Sequence, residues 1–235
     1  MIGILVLLAV SWLLLHFIEK KSILALGILP HSRLIMQCLN GFLLTAALCG
    51  LVQLLESLLL SSSWKYNGEL SLTTVFQSAW WDFRSVLTEE LVFRGALLYI
   101  LVQKIGCRRA ILISAVAFGV YHWFSFGVFG NILAMILIFI GTGLMGYAWA
   151  WAFAKSKSIL LPLALHFGWN LVHNTLFSKG PLGPMLFTQN GGGEITDIIA
   201  LLNFLAGMIL APILVVWYVK YRVKEVPEIE LSRQD

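Results

Sequence analysis

The sequence predicts an all-α polytopic membrane protein, and three observations support this prediction. Hydrophobic residues make up 59% of the 235 residues and charged residues only 12%, whereas soluble domains average roughly 25% charged residues. The mean hydropathy is +0.87. Long apolar runs alternate with short charged loops, as expected when about 20 apolar residues are needed to cross a bilayer. Because no polar stretch is long enough for a soluble domain, we expect residues 1–235 to form a single membrane domain.

Seven apolar segments are predicted to span the membrane. The first has no basic residue before it and no small-residue cleavage site after it, so we expect a retained span rather than a signal peptide. The segment 61–84 is mixed: a polar loop is followed by the amphipathic, aromatic stretch LTTVFQSAWWDFR. That stretch lies either in the membrane interface or at the start of the third span, which makes the expected total about seven to eight helices. The seven segments are 2–18, 38–60, 85–104, 110–126, 131–154, 158–177 and 197–219.

Basic residues predict the orientation of these spans. With the N-terminus outside, twelve lysines and arginines fall on the cytoplasmic side, and only Lys65, Arg84 and Lys179 fall outside. This bias satisfies the positive-inside rule. It also accounts for the net charge of +4 without a nucleic-acid partner. We therefore expect a multi-pass protein of the lipid bilayer, in the plasma membrane if the source is bacterial.

The third span carries three charged residues, Glu89, Glu90 and Arg94. A single charge at the centre of a bilayer costs about 2.5–3.5 kcal/mol on insertion scales. Glu90 and Arg94 are four residues apart, so they share a helix face and are predicted to form an ion pair. Glu89 points about 100° away from Glu90. Glu89 is therefore the carboxylate that is harder to pair and the better candidate for chemistry.

The fourth segment contributes one histidine, and the fifth contributes three glycines. His122 closes the fourth segment, and Phe118 lies one turn before it on the same face. For Phe118 we predict a packing role. Gly141, Gly143 and Gly146 in the fifth segment are expected to allow close helix packing.

The sixth segment carries a polar stripe at helical spacing, made of His166, Asn170, His173 and Asn174. His166 and Asn170 are neutral donors suited to an oxyanion. His173 and Asn174 are expected nearer the outer end, where solvent exposure explains them. Pro162 precedes the stripe and is predicted to kink the helix.

The predicted topology also places the candidate residues by depth. Glu89 and His122 fall nearer the outer ends of their spans, and His166 falls closer to the middle. This rough agreement predicts one shared site between helices.

Three short motifs in this order resemble the CAAX protease and bacteriocin-processing family, which includes the eukaryotic type II CAAX prenyl endopeptidase. The resemblance covers about residues 80–177, the predicted catalytic core, and it implies an all-helical intramembrane endopeptidase. The motifs are Glu-Glu-x-x-x-Arg at Glu89, Glu90 and Arg94, Phe-x-x-x-His at Phe118 and His122, and His-x-x-x-Asn at His166 and Asn170.

The resemblance implies a role for each residue. Glu89 would be the general base that activates water, and His122 would help to hold that water. His166 and Asn170 would stabilise the tetrahedral oxyanion, and Arg94 would orient Glu90 and Glu89. The substrate would be a peptide or protein in or at the membrane, with or without a lipid group.

The residues leave two mechanisms open. Members of the family are often classed as metalloproteases, and Glu89, His122 and His166 are the candidate ligands for a zinc ion with an open water position. The His-Glu-x-x-His helix of zincins is absent from the sequence. The same residues would also bind water directly, as in a glutamate protease, and we favour this reading without a cofactor.

Two readings from other functional classes compete with a protease. Intramembrane charges also mark ion pathways and proton relays, but the sequence has no inverted repeat and only one clear mid-span proline, unlike many transporters. A non-enzymatic membrane adaptor or bacteriocin-immunity protein would keep the fold without the chemistry. Such a protein would be expected to have lost some of the residues of the site. The complete set of polar residues argues against this hypothesis.

Overall fold

The structure is a computed structural model that describes residues 2–194 and 196–224, and it confirms the predicted all-α class of a polytopic membrane protein. The only strands among these residues are β1 (Ser63–Tyr66) and β2 (Phe187–Asn190). The helices are α1 (Ile2–Leu14), α2 (Ser32–Leu59), α3 (Leu72–Arg94), α4 (Ala96–Ile105), α5 (Cys107–Ser125), α6 (Ile132–Ser156), α7 (Leu160–Asn170), α8 (Asp197–Phe204) and α9 (Ala211–Arg222). π-Helical turns Leu15–Glu19, Leu171–Leu176 and Leu205–Leu210 extend α1 and α7 and join α8 to α9, and a 3-10 turn covers Ile23–Leu26.

Four helical stretches within the described ranges are long and apolar enough to cross a bilayer on their own: Ile2–Glu19, Ser32–Leu59, Ile132–Ser156 and Ile198–Arg222. They match four of the predicted segments. The remaining predicted segments correspond to α3 with α4, α5, and α7 with its π-helical extension. These helices carry the charged and polar residues of the candidate site, which lower their hydropathy.

The third predicted span, 85–104, is wrong as a single helix. α3 begins thirteen residues earlier, where Ser71 caps it by accepting a hydrogen bond from the Thr74 backbone N–H, and it ends at Arg94. A β-carbon at Gly95 would lie 2.2 Å from the carbonyl oxygen of Leu91, so the break requires glycine. The amphipathic stretch therefore forms the first half of α3. Glu89 lies about 25 Å along α3 from Leu72, towards the end of this helix.

Pro162 does not kink α7, which corrects a second prediction. It is the third residue of the helix, where a backbone N–H has no intrahelical acceptor to lose. The irregularity comes later, where Asn170 is followed by the π-helical turn Leu171–Leu176. After this turn begins, the chain still faces α3, because Asn174 and Thr175 bind Asp82 of that helix.

The loops gather at two opposite ends of the helix bundle. At one end β1 pairs with β2 in antiparallel fashion, with Ser63 opposite Asn190. At the other end Ser158 Oγ donates to the Gly27 carbonyl at 2.6 Å. α2 joins the two ends with 28 residues, or about 42 Å of helix. We call them the sheet end and the basic end.

The basic end collects the cations that the topology prediction placed in the cytoplasm. Arg233 lies outside the described residues. The others are Lys20, Lys21, Arg33, Lys104, Arg108, Arg109, Lys155, Lys157, Lys220, Arg222 and Lys224.

α2 and α7 approach each other closely at Gly168. A β-carbon there would lie 2.4 Å from the Phe42 carbonyl oxygen and 2.6 Å from Thr45 Oγ1. Backbone atoms cannot move aside as a flexible side chain can. This contact holds the helix that carries His166 against α2.

Replacing Gly168 with alanine is expected to destabilise the protein by about 1–3 kcal/mol, because overpacking forces α2 and α7 apart. The matched control is Gly50→Ala on α2, where a β-carbon meets no heavy atom within 4 Å. That control should be neutral or more stable by up to about 1 kcal/mol, from helix propensity alone. Thermal unfolding in detergent, followed by tryptophan fluorescence, measures both. Equal melting temperatures for the two variants would contradict the close approach.

Candidate active site

A buried polar cluster joins α3 to α7. Glu90 and Arg94 are both 0% exposed, with 3.3 Å between Glu90 Oε1 and Arg94 Nη1, so the predicted ion pair is present. The same Glu90 oxygen lies 2.8 Å from His166 Nδ1. Because a carboxylate only accepts, Nδ1 must carry the donated proton. Glu90 thus fixes both the ring orientation of His166 and the position of Arg94.

The guanidinium of Arg94 is held on its other sides by α5 and α6. Its carbon lies 4.1 Å from the centre of the Phe118 ring, a distance that suits a cation–π contact. Arg94 Nη2 donates to the Gly146 carbonyl at 3.4 Å. Arg94 of α3 therefore contacts α5 and α6, and Glu90 connects it to His166 of α7.

Glu89 faces a different environment from Glu90. Its side chain is 14% exposed, and within the described residues its buried Oε2 has no hydrogen-bond partner. His166 Nε2 lies 3.9 Å from Glu89 Oε2. This distance is too long for a direct hydrogen bond and suits two groups that share one water molecule.

Glu89 also lines a cavity of about 340 Å³, the site cavity. Its wall includes Arg84 and Thr88 of α3 and Tyr121 of α5. Gly3, near the start of α1, also lines the cavity. A molecule in this cavity would reach Glu89 but not Glu90, which is fully buried.

His122 is placed beside the cluster by aromatic packing. The Phe118 ring lies 4.4 Å from the His122 ring and 6.0 Å from the His166 ring, between ring centres. His122 Nδ1 donates to the Phe118 carbonyl at 2.7 Å, which in the neutral ring leaves Nε2 as an acceptor. Trp149 stacks on His166 with ring centres 5.6 Å apart.

The hydrogen bond to Glu90 changes what His166 can do. A neutral ring that donates from Nδ1 has no proton left on Nε2, so in that form Nε2 of His166 is an acceptor, and its role as an oxyanion donor stays a prediction. His166 can donate to an oxyanion from Nε2 only as an imidazolium. Two carboxylates, Arg94 and an imidazolium would together carry zero net charge.

Asn170 lies one turn beyond His166 and is half-buried. Its side chain makes no hydrogen bond to any residue that the structure describes, so its amide is available to a ligand. The structure therefore brings Glu89, Glu90, Arg94 and His166 into contact, and it places His122 and Asn170 beside them.

A second polar cluster lies nearer the start of α3, around Asp82, and the sequence analysis did not predict it. Asn174 Nδ2 donates to Asp82 Oδ1 at 2.6 Å, and Thr175 Oγ1 donates to Asp82 Oδ2 at 2.8 Å. His173 Nδ1 lies 2.9 Å from Asn174 Oδ1. Asn174 is thus a partner of Asp82 and His173 is a partner of Asn174, and both are partly buried rather than solvent-exposed as predicted. The available signal was spacing, because Asp82 lies two turns before Glu89.

The proposed zinc ligands do not form a ligand set in this arrangement. Among residues 2–194 and 196–224, no group of three or more His, Cys, Asp or Glu side chains is arranged to hold a metal ion. His122 and His166 each use Nδ1 in a hydrogen bond, which leaves Nε2 as the remaining nitrogen of each ring.

Two glycines of α6 offer a matched pair of variants that test how Phe118 is positioned. A β-carbon at Gly146 would lie 2.8 Å from Phe118 Cδ1, whereas one at Gly143 would meet only the Ala115 carbonyl, at 3.7 Å. Phe118 is 2% exposed and has little room to move. Gly146→Ala is expected to lower kcat/KM by roughly 10- to 100-fold by displacing Phe118, Arg94 and the histidines.

Gly143→Ala is the control for this prediction and should retain activity within about twofold, since its contact is ordinary van der Waals packing. Peptide-cleavage rates of the two variants, at equal amounts of folded protein, make the comparison. Full activity in Gly146→Ala would show that the packing of Phe118 does not position the site.

Comparison with known proteins is consistent with this cluster. Residues 71–172 match the family model described as type II CAAX prenyl endopeptidase Rce1-like. The match includes all six candidate residues and confirms the resemblance predicted from the three motifs. The match covers 102 of the 235 residues, which is less than half of the chain. No curated protein and no solved structure matches the chain significantly.

Proposed function

From the family to which residues 71–172 match, we propose that this protein is an intramembrane endopeptidase that uses Glu89 to activate water. One observation carries the proposal: Glu89 lines a cavity, and its buried Oε2, which has no hydrogen-bond partner among the described residues, lies 3.9 Å from His166 Nε2. The remaining ion pair and hydrogen bonds hold Glu90, Arg94 and His166 in place around it. The substrate is a membrane-associated or lipidated peptide or protein.

Catalysis begins with a water molecule between Glu89 and His166. Glu89 Oε2 accepts one proton of this water as the water oxygen bonds to the scissile carbonyl carbon. General bases of this kind contribute about 10²–10⁴-fold. His122, whose Nε2 is an acceptor, receives a hydrogen bond from the same water and directs its lone pair at the carbonyl.

The carbonyl oxygen becomes an oxyanion as the water attacks. Asn170 donates to it from its side-chain amide, and His166 donates from Nε2 as an imidazolium. Preorganised donors are worth about 2.7–4 kcal/mol each in comparable sites. The negative charge of Glu90 stabilises the imidazolium, so Glu90 is a positioning residue and does not touch the substrate.

Collapse of the tetrahedral intermediate breaks the C–N bond. The proton held on Glu89 passes to the leaving nitrogen, which departs as an amine, and Glu89 returns to its carboxylate form. The new carboxyl group carries the oxygen of the attacking water. The step consumes one water and needs no oxidant, reductant or cofactor.

The substrate is proposed to reach Glu89 through the site cavity. This cavity opens between α1, α3 and α5, with Gly3 and Trp81 in its wall. The positive-inside rule puts the basic end in the cytoplasm and the sheet end outside. A multi-pass arrangement in the plasma membrane of a bacterium would then give access from the membrane or from its outer side.

The proposal is tested by incubating purified protein in detergent with a farnesylated CAAX peptide and with a mixture of unprenylated hydrophobic peptides. Mass spectrometry should detect hydrolysis of an internal bond in at least one of them. An intact peptide set, with protein that is folded by circular dichroism, would contradict the proposal.

Removing metal ions gives a separate prediction. Because the proposed steps use only side chains of this protein, a zinc chelator is expected to leave the cleavage rate unchanged within about twofold. The assay compares chelator-treated protein with untreated protein and with protein to which zinc has been returned. Activity that is lost with the chelator and restored by zinc would overturn the metal-free mechanism and keep the protease.

A further inference from the structure

A second cavity lies at the basic end, between the start of α2 and the end of α9. Its volume is about 510 Å³, within the range of small-molecule sites. It shares no lining residue with the site cavity. We call it the basic-end cavity, and the proposed peptidase chemistry does not use it.

The wall of this cavity carries uncompensated positive charge. Arg33, Arg222 and Lys224 line it, and no carboxylate of the described residues does. All three cations are exposed at its rim. Such a cluster attracts an anionic group, and arginine in particular suits the geometry of a phosphate.

The floor of the cavity holds an unsatisfied acceptor. Gln37 is 7% exposed, and its Nε2 donates to the Lys224 carbonyl at 3.2 Å. Its Oε1 is buried and has no hydrogen-bond partner among the described residues. A buried acceptor without a donor is costly, so the ligand that fits this cavity also brings a hydroxyl or N–H group.

The position of the cavity shows where such a ligand comes from. Trp217 lines it and is 54% exposed, which is typical of an aromatic residue at a membrane–water interface. The neighbouring apolar residues Met36 and Ile213 are also exposed, on α2 and α9 respectively. The cavity therefore lies where a headgroup would stand while its acyl chains run along these two helices.

We propose that the basic-end cavity binds the headgroup of an anionic phospholipid that carries a free hydroxyl, of which phosphatidylglycerol is the simplest. The phosphate contacts Arg33, Arg222 and Lys224, and a glycerol hydroxyl donates to Gln37 Oε1. Basic pockets between membrane helices bind anionic headgroups in this manner. The inference stands independently of the proposed peptidase function, because it concerns binding alone.

The test titrates phosphatidylglycerol into the purified full-length protein in detergent and counts bound lipids by native mass spectrometry. The double variant Arg33→Gln/Arg222→Gln should weaken binding roughly tenfold or more. Its matched control is Arg108→Gln/Arg109→Gln, which removes two exposed arginines at the same end that do not line the cavity. The control should stay within twofold of the unmodified protein. Equal losses in both double variants would show only a general attraction to surface charge and would overturn the site.

Two further measurements identify the ligand. The unmodified protein should bind phosphatidylglycerol several-fold more tightly than phosphatidic acid, which has no free glycerol hydroxyl, and Gln37→Met should lose that preference. An unchanged preference in Gln37→Met would contradict the role of its amide. Glycerol 1-phosphate that binds as tightly as the lipid would show a site for a soluble phosphate instead.

One segment of the chain offers an alternative occupant. The residues after Lys224 contain Glu225, Glu228 and Glu230, which are also anionic. Replacing all three with glutamine should leave lipid binding within twofold. An increase of tenfold or more would assign the cavity to this acidic tail and would overturn the lipid proposal.

Discussion

Replacing Glu89 with glutamine is expected to lower kcat by about 10²–10⁴-fold, the usual contribution of a general base. The amide keeps the size of the side chain but cannot take a proton from water. The fold should survive, because Glu89 is partly exposed to the site cavity and its Oε2 makes no hydrogen bond within the described residues. Cleavage rates and melting temperatures in the same detergent measure both effects.

The matched control for Glu89→Gln is Ser85→Ala. Ser85 lies one turn earlier on α3 and lines the same cavity, but it has no role in the proposed proton transfer. Removing the Ser85 hydroxyl group should change kcat by less than about threefold. A Glu89→Gln variant with the activity of Ser85→Ala would show that the carboxylate is not the base.

Replacing Glu90 with glutamine is expected to destabilise the protein by about 3–5 kcal/mol, the typical cost of breaking a buried ion pair from one side. Arg94 would keep its charge at 0% exposure without a neutralising partner. His166 would also lose its carboxylate acceptor, so activity should fall with stability. Thermal unfolding in detergent and peptide cleavage give the two readouts.

The double variant Glu90→Gln/Arg94→Met separates these effects. Removing both charges eliminates the unpaired cation, so much of the lost stability should return. Activity should not return, because His166 still lacks the negative charge that favours its imidazolium. If the double variant recovered activity together with stability, Glu90 would be a structural residue only.

Much of the fold could be predicted from periodicity and composition. Long apolar runs predicted α1, α2, α6 and the α8–α9 segment, because hydropathy alone identifies a helix that faces lipid on most sides. The helix that carries Glu89 and Glu90 was harder to predict. Its polar residues face other helices, so α3 has no continuous apolar run, and its true start at Leu72 is hidden in a mixed segment.

The ion pair within the candidate site followed from local geometry. Glu90 and Arg94 are four residues apart, and the helix brings them together whatever surrounds them. The divergence of Glu89 from Glu90 followed from the same rule. These predictions needed no knowledge of which helices are neighbours.

Contacts between helices could not be predicted in this way. The hydrogen bond from His166 to Glu90 depends on how α3 and α7 cross, and it determines which nitrogen of His166 is free. Within the π-helical turn Leu171–Leu176, Asn174 and Thr175 bind the carboxylate of Asp82 on α3, a contact that the sequence alone does not reveal. The break at Gly95 likewise shows no signal beyond the glycine itself. The two contacts depend on a residue of another helix, and the break depends on the backbone conformation.

The most direct test of the central claim is a single turnover of cleavage in water enriched in ¹⁸O, with protein in excess over peptide. If Glu89 acts as a base on water, the new carboxyl group of the product will carry one ¹⁸O atom. The fragment of the digested protein that contains Glu89 will carry none. Label in Glu89 after hydrolysis would show that its carboxylate attacks the substrate itself. That result would contradict the account in which Glu89 activates water.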